Sequence, residues 1–187
     1  MKSKNKIRDM FLGLSLADAL GVPYEFRSRS AMKSSPAITM IGHGTYNQPP
    51  GTWSDDSSMM LCLLEGLSEG YDIELIGSKF VKWYTTGYWG AHHKVFDNGG
   101  STRHALNRII KGESAKSSGN IFEEDNGNGS LMRSIPLAFY HKDESDINEL
   151  YNSVREISAI THGHFRSCFS CFIYVVLAIE LIKTNDK

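Results

Sequence analysis

The run Gly51-Thr52-Trp53-Ser54-Asp55-Asp56-Ser57-Ser58-Met59-Met60 starts where Pro49 and Pro50 close one segment and an apolar-periodic segment begins. Met60, Leu63, Leu64 and Leu67 recur at i, i+3, i+4 and i+7, so a helix is expected from about Asp55. Ser54 is its expected N-cap, and both acids fall in its first turn. Two readings of those acids stand side by side. They can complement the positive end of the helix dipole while Ser54 satisfies a free backbone N–H, each effect worth about 1 kcal/mol or less. Alternatively, two carboxylates with flanking hydroxyls beside Trp53 make a compact set of hard oxygen donors, the kind Mg²⁺ or Mn²⁺ prefers.

The helical period recurs on both sides of this run. Ile7, Met10, Phe11, Leu14 and Ala17 share one face of a helix expected from about Lys6 to Leu20, ended by Gly21 and Pro23. Asp72 reads as the N-cap of a helix to about Thr85, with Ile76, Phe80 and Trp83 inward. Further helices carry Ala105, Leu106, Ile109 and Ile110, then Pro136 in a first turn, then Ile147, Leu150, Tyr151, Val154 and Ile157. An apolar helix follows from about Arg166 to Ile182. Residues 28–52 read as a long surface loop and residues 111–126 as a polar, mobile one. No strand alternation appears, so the expected fold class is all-α, with loops at helix ends carrying the polar sites.

With 187 residues, 41% hydrophobic and 22% charged, the chain has room for one domain with one core. Twenty basic against 21 acidic side chains give a formal charge of −1, so nothing suggests a broad phosphate-binding surface. No nucleic-acid partner is expected, and any anion site must be local. Cys62, Cys168 and Cys171 form an odd set, and the lone Cys168-x-x-Cys171 has no second pair to complete a zinc site. They read as buried free thiols in a reducing compartment, hence a cytoplasmic location. Asp9 and Asp18 bracket the short apolar run Met10 to Ala17 and argue against an export signal. The uncharged stretch Ser167 to Ile179 is shorter than the ~20 residues needed to span a bilayer. A core helix buried on all sides, and no membrane partner, is the expectation.

Three other stretches carry candidate chemistry. Glu25 lies between Tyr24 and Phe26, where burial would raise its pKa or Arg27 or Arg29 would pair with it; the residues alone favour the ion pair. Asp97-Asn98-Gly99-Gly100-Ser101-Thr102 leads into a helix. In Gly127-Asn128-Gly129-Ser130-Leu131-Met132-Arg133 the glycines allow backbone N–H groups to converge on an anion, and Ser130 can cap the short helix after it. A tight turn before a short helix explains the same residues without a ligand. The histidines at 162 and 164 read, in isolation, as structural.

Taken together and in order, these motifs resemble the ADP-ribosylglycohydrolases, the family that includes dinitrogenase reductase-activating glycohydrolase and the vertebrate ADP-ribosylhydrolases. The resemblance runs from Gly13-Leu14-Ser15-Leu16-Ala17-Asp18-Ala19-Leu20-Gly21 through Glu25, Trp53-Ser54-Asp55-Asp56-Ser57, Asp97-x-Gly99-x-Ser101-Thr102, Gly127-x-Gly129-Ser130-x-Met132-Arg133 and Thr161-His162-x-His164. It implies an all-helical domain that binds two Mg²⁺ or Mn²⁺ ions and cleaves the glycosidic bond joining ADP-ribose to a protein side chain or small molecule. By motif match, Ser54, Asp55 and Asp56 are metal ligands, and Glu25 and Asp56 take catalytic roles. Gly127, Asn128, Gly129 and Ser130 match the loop that cradles the phosphates, His162 lines the groove, and Asp97 and Gly99 match a second loop at the same cleft.

Two departures qualify the match. The family continues into an Asp-x-Asp-Thr-like motif supplying further metal ligands, and no Asp-x-Asp occurs in these 187 residues. About the last third of the family fold is therefore expected to lie outside them, leaving the second metal site incomplete unless a second polypeptide supplies it. The apolar helix after Arg166 would then expose a patch that favours self-association. Phe165 also stands where the family usually has Pro. The alternatives to a working hydrolase are a catalytically inactive ADP-ribose-binding module and a non-functional truncated product.

Overall fold

Ser54 and Asp72 begin the two helices on which the rest of the chain packs, and both act as the sequence requires. Ser54 has an extended backbone (φ −100°, ψ −153°) and its hydroxyl accepts from the Asp56 N–H at 3.4 Å. Asp72 accepts from the N–H groups of Glu74 and Leu75 at 2.9 and 3.2 Å. The computed structural model describes residues 2–184. Its α-helices are α1 (Lys2–Gly21), α2 (Arg29–Ser34), α3 (Asp55–Glu69), α4 (Ile73–Thr86), α5 (Gly100–Ile110), α6 (Ile135–Tyr140), α7 (Ile147–Ala159) and α8 (Phe165–Lys183). Among the described residues there is no strand, only an isolated parallel bridge between Asn120 and His162. The all-α expectation holds.

Helix α3 lies at the centre, against α1, α4 and α6, while α8 closes the other side against α6 and α7. Met59, Met60, Cys62 and Leu63 of α3 are fully buried, as are Ile76 and Phe80 of α4, Leu106 of α5, Leu137 of α6 and Val154 and Ile157 of α7. Gly66, which interrupts the apolar pattern of α3, has a packing role: a Cβ there would stand 2.6 Å from Ile76 Cγ1. Only a bare backbone lets α4 approach this closely.

Several local expectations are corrected. Gly21 stays right-handed (φ −72°, ψ −40°), so α1 passes directly into a 3₁₀ turn, Val22–Tyr24, instead of stopping at a left-handed glycine. The loop 28–52 contains α2, capped by the Ser28 hydroxyl. Residues 111–126 are tied down: the Arg108 guanidinium donates to the Ser118 carbonyl, the Ala115 N–H donates to Glu74 Oε2 at 3.0 Å, and Ala115 and Ser118 are fully buried. Ile110 and Ile147 point outward, and each stands at an end of its helix, Ile110 as the last residue of α5 and Ile147 as the first of α7.

Helix α8 is not buried on all sides. Cys168, Cys171, Val175, Ala178 and Ile179 face the core, but Phe165, Phe169, Ile173, Leu177 and Leu181 form a stripe at every fourth position that is 42–66% exposed. The uncovered stripe expected from an incomplete fold is therefore present. At 19 residues, α8 is also long and apolar enough to cross a membrane by length and composition alone.

Candidate functional site

The polar loops converge at one end of the helix assembly. The first turn of α3 carries Asp55 and Asp56, the segment after the Val22–Tyr24 turn carries Glu25, and the approach to α5 carries Asp97 and Gly99. The turn before α6 brings Gly127, Asn128 and Gly129, and the α7–α8 junction brings His162. These nine residues line a single cleft of about 530 Å³, together with Phe26, Ser101, Thr102 and Met132. That volume is in the range of small-molecule sites.

Two of the expected site residues do not line this cleft. The Ser54 hydroxyl donates to Asp18 Oδ1 at 2.7 Å and reaches Asp56 Oδ2 at 3.3 Å. Ser130 is buried in the core, where its hydroxyl accepts from Ser158 Oγ at 2.9 Å, and Cys171 Sγ lies 3.4 Å away. Nor does Ser130 cap a helix; its carbonyl accepts from Ser134 Oγ at 2.6 Å. Its place in the motif is explained by packing beneath the glycine turn.

The acidic end of the cleft holds carboxyls out of their ordinary range. Burial, then the negative charges of Asp97, Asp56 and Asp18, push Asp55 up to about 8. Burial, then Asp18, raise Asp56 to about 6, with the Ser54 hydrogen bond opposing the shift. Glu25 rises to about 7 through burial and the neighbouring Asp97 charge, partly offset by the Tyr46 hydroxyl, which donates to Glu25 Oε2 at 3.3 Å. The ion pair expected for Glu25 does not form: the Arg27 guanidinium lies over the Tyr24 ring at 5.0 Å, and burial dominates.

Among the described residues no Lys or Arg lines this cleft, so four carboxyl groups face it without a counter-charge. Hard oxygen donors in that state suit a divalent cation. The fit is in kind and not in number, because among the described residues no three His, Cys, Asp or Glu side chains are grouped closely enough to hold an ion.

The other end is neutral and backbone-rich. A Cβ on Gly129 would stand 2.8 Å from His162 Cε1 and 3.0 Å from Thr102 Oγ1, so glycine is required for the turn to lie on the imidazole. His162 Nδ1 bonds Thr161 Oγ1 at 2.8 Å, and burial followed by the Arg133 charge holds the ring down to about 4, hence neutral. Arg133 is fully buried, donates to the carbonyls of Gly129 (2.7 Å) and Ile157 (3.1 Å), and lies over the Phe80 ring at 4.6 Å. It fixes the turn from below.

Arg133 and Asp18 fall within motifs visible in the sequence, where neither has an evident role, and Tyr46 and Thr102 do not stand out there as site residues. Tyr46 lies in a stretch with no period, so only its contacts with Glu25 and Phe96 reveal it. Thr102 does carry a signal: it closes the run Asp97-x-Gly99-x-Ser101-Thr102 and is the third residue of α5.

Known proteins resemble this chain in sequence and in fold. The family model described as ADP-ribosylglycohydrolase matches residues 1–187. The ADP-ribosylarginine hydrolase Tri1 of Serratia proteamaculans is 33% identical over 188 residues, covering all of this chain and 50% of that protein. Its namesake from Pseudomonas putida is 31% identical, covering 98% and 48%. The ADP-ribosyl-[dinitrogen reductase] glycohydrolase of Rhodospirillum rubrum is 28% identical over 165 residues, covering 86% and 52%. A solved structure, an ADP-ribosylglycohydrolase-related protein complex, superposes with a TM-score of 0.81 at 28% identity, covering the whole of this chain and 59% of that one. The chain spans about half the length of the curated relatives it matches.

Proposed function

The chain belongs to the ADP-ribosylglycohydrolase family, and from that premise we propose that it carries the ADP-ribose cleft of a metal-dependent hydrolase that releases ADP-ribose from protein side chains, arginine foremost. The observation that supports this best is the union, in one cleft, of an uncompensated carboxylate end and a glycine turn seated on a neutral histidine. A diphosphate needs the second and a glycosidic centre needs the first. Arginine is the substrate side chain named for two relatives.

At the turn, the backbone of Gly127, Asn128 and Gly129 binds the diphosphate, and neutral His162 adds a ring nitrogen without a competing charge. At the acidic end, Glu25 is present in both protonation states near pH 7, so it can give a proton to the departing nitrogen or oxygen or take one from the attacking water. Asp55 and Asp56 would supply carboxylate ligands to Mg²⁺ or Mn²⁺, the rest of the ligand set coming from outside the described residues, and the ion when bound would supply a Lewis acid at the ribose. Asp56, ionised above about pH 6, orients the water between the ribose and Glu25.

A second polypeptide, or further length of the same one, completes the ligand set and covers α8. The exposed stripe on α8 and the greater length of the relatives support this. Three buried free thiols support a cytoplasmic location, and the near-neutral charge and acidic cleft argue against nucleic acid as a partner.

Calorimetric titration with ADP-ribose, with and without Mg²⁺ or Mn²⁺, together with release from an arginine-ADP-ribosylated peptide, tests the proposal. Binding that the metal strengthens, with metal-dependent release, is expected, and exchanging Asp55 and Asp56 together for Ala abolishes the release. Metal-independent binding without release would reduce the chain to a binding module, and absence of binding would refute the proposal.

A further inference from the structure

The carboxylate with the largest number of hydrogen bonds at this end of the molecule is outside the main cleft. Asp18, on the last turn and a half of α1, accepts from the Ser54 N–H (3.1 Å to Oδ1, 3.0 Å to Oδ2) and from Ser54 Oγ (2.7 Å). It also accepts from the Ser57 N–H (3.0 Å) and Ser57 Oγ (2.6 Å). Ser54 and Ser57 are both buried, so these donors have no water to turn to.

This arrangement accounts for the direction in which Asp55 and Asp56 point. Carboxylates in the first turn of a helix ordinarily fold back on its free N–H groups. At α3 Asp18 already occupies the anion position and takes the N–H of Ser57 as well as both serine hydroxyls. Asp55 and Asp56 keep only their own backbone N–H and, for Asp56, the Ser54 hydroxyl, and line the cleft, while Asp18 reaches an adjoining recess shared with Leu14, Ala17, Gly21, Glu25 and Asp56. One α1 side chain thereby sets where the α3 carboxylates stand.

We propose that Asp18 is a positioning residue: acting through Ser54 and Ser57, it holds the first turn of α3 so that Asp55 and Asp56 present their oxygens to a divalent cation at the cleft. The inference rests on the reading of that end of the cleft as cation-binding. Loss of a partner that orients ligands lowers metal affinity about 10- to 100-fold. The glycine turn and His162 belong to other elements, so metal-free binding of ADP-ribose is expected to change by less than about twofold.

The test uses the full chain as wild type, Asp18→Asn and Asp18→Ala, with Mn²⁺ binding followed by electron paramagnetic resonance. Metal-free ADP-ribose binding is measured by calorimetry and amide hydrogen exchange by NMR. The expected result is the split described, with faster exchange at Ser54 and Ser57 and unchanged exchange in the middle of α3. Asp18→Asn keeps the shape and carries the test if the alanine variant fails to fold. Unchanged Mn²⁺ affinity, or an equal loss of both ligands, would overturn the proposal, the latter assigning Asp18 to general stability. If the wild-type chain takes up neither probe, the cation-site reading falls on its own account. Exchange then decides, and unaltered protection at Ser57 in Asp18→Asn refutes the positioning role.

Discussion

Asp55→Asn is the perturbation whose outcome is tied most directly to the cleft. In the folded chain Asp55 is 8% exposed and held up to about 8, against 3.8 when free. Between those values the native state binds a proton that the unfolded chain has released, so stability falls as pH rises through this window. A rise of about four units corresponds to on the order of 5 kcal/mol, and water entry on ionisation recovers part of it, leaving about 3 kcal/mol. Asn is uncharged and isosteric, so the variant escapes that loss. In EDTA at pH 8 it is expected to melt about 6–12 °C above the wild type, since 1 kcal/mol moves Tm by about 2–4 °C in a chain of this size. At pH 4, where Asp55 keeps its proton in the fold, the two should melt within about 2 °C of each other. Melting followed by circular dichroism across pH 4–8 makes the comparison. A wild-type Tm that is flat over this range, or a variant less stable than wild type at pH 8, would show that burial and the neighbouring charges do not hold Asp55 up in this way.

Arg133→Met is expected to destabilise the fold by about 3–5 kcal/mol, because the carbonyls of Gly129 and Ile157 lose their donor in a closed interior; urea denaturation measures it. Gly129→Ala should weaken ADP-ribose binding at least about tenfold with little change in Tm, since the added methyl must displace His162 and the partly exposed turn can give way without unfolding; calorimetry and melting together check this. Exchanging Phe169 and Leu177 for Glu should reduce self-association in light scattering while leaving helix content intact, because both side chains stand on the uncovered stripe. An NMR titration of His162 should find a neutral imidazole throughout pH 5–8, its pKa having been driven down to about 4.

What was legible without coordinates was local. Ser54 and Asp72 announced two helix starts because an N-cap is a contact between a side chain and the next two or three N–H groups, wholly contained in a short run. The face Ile76, Phe80 and Trp83 was legible for the same reason, since a helix returns every fourth residue to one side. Ile110 and Ile147 depart from this pattern because a helical period cannot say how far along a helix the buried stripe runs, and both stand at a helix end. The segment 111–126 looks mobile from its own residues because its anchors, Arg108 and Glu74, belong to the helices α5 and α4.

By itself, the chain determined that it folds as helices, that carboxylates cluster where α3 begins, and that a glycine turn stands apart from them in sequence. Spacing and capping are properties of neighbours along the chain, and they need no knowledge of what lies across from them. Only the tertiary structure decided that Glu25 is raised by burial instead of paired with arginine, that Ser54 and Ser130 serve the scaffold while their neighbours line the cleft, and that Asp18 governs the first turn of α3. Those outcomes depend on desolvation and on hydrogen bonds between residues up to about 40 positions apart. Such separations leave no periodic trace in the order of residues.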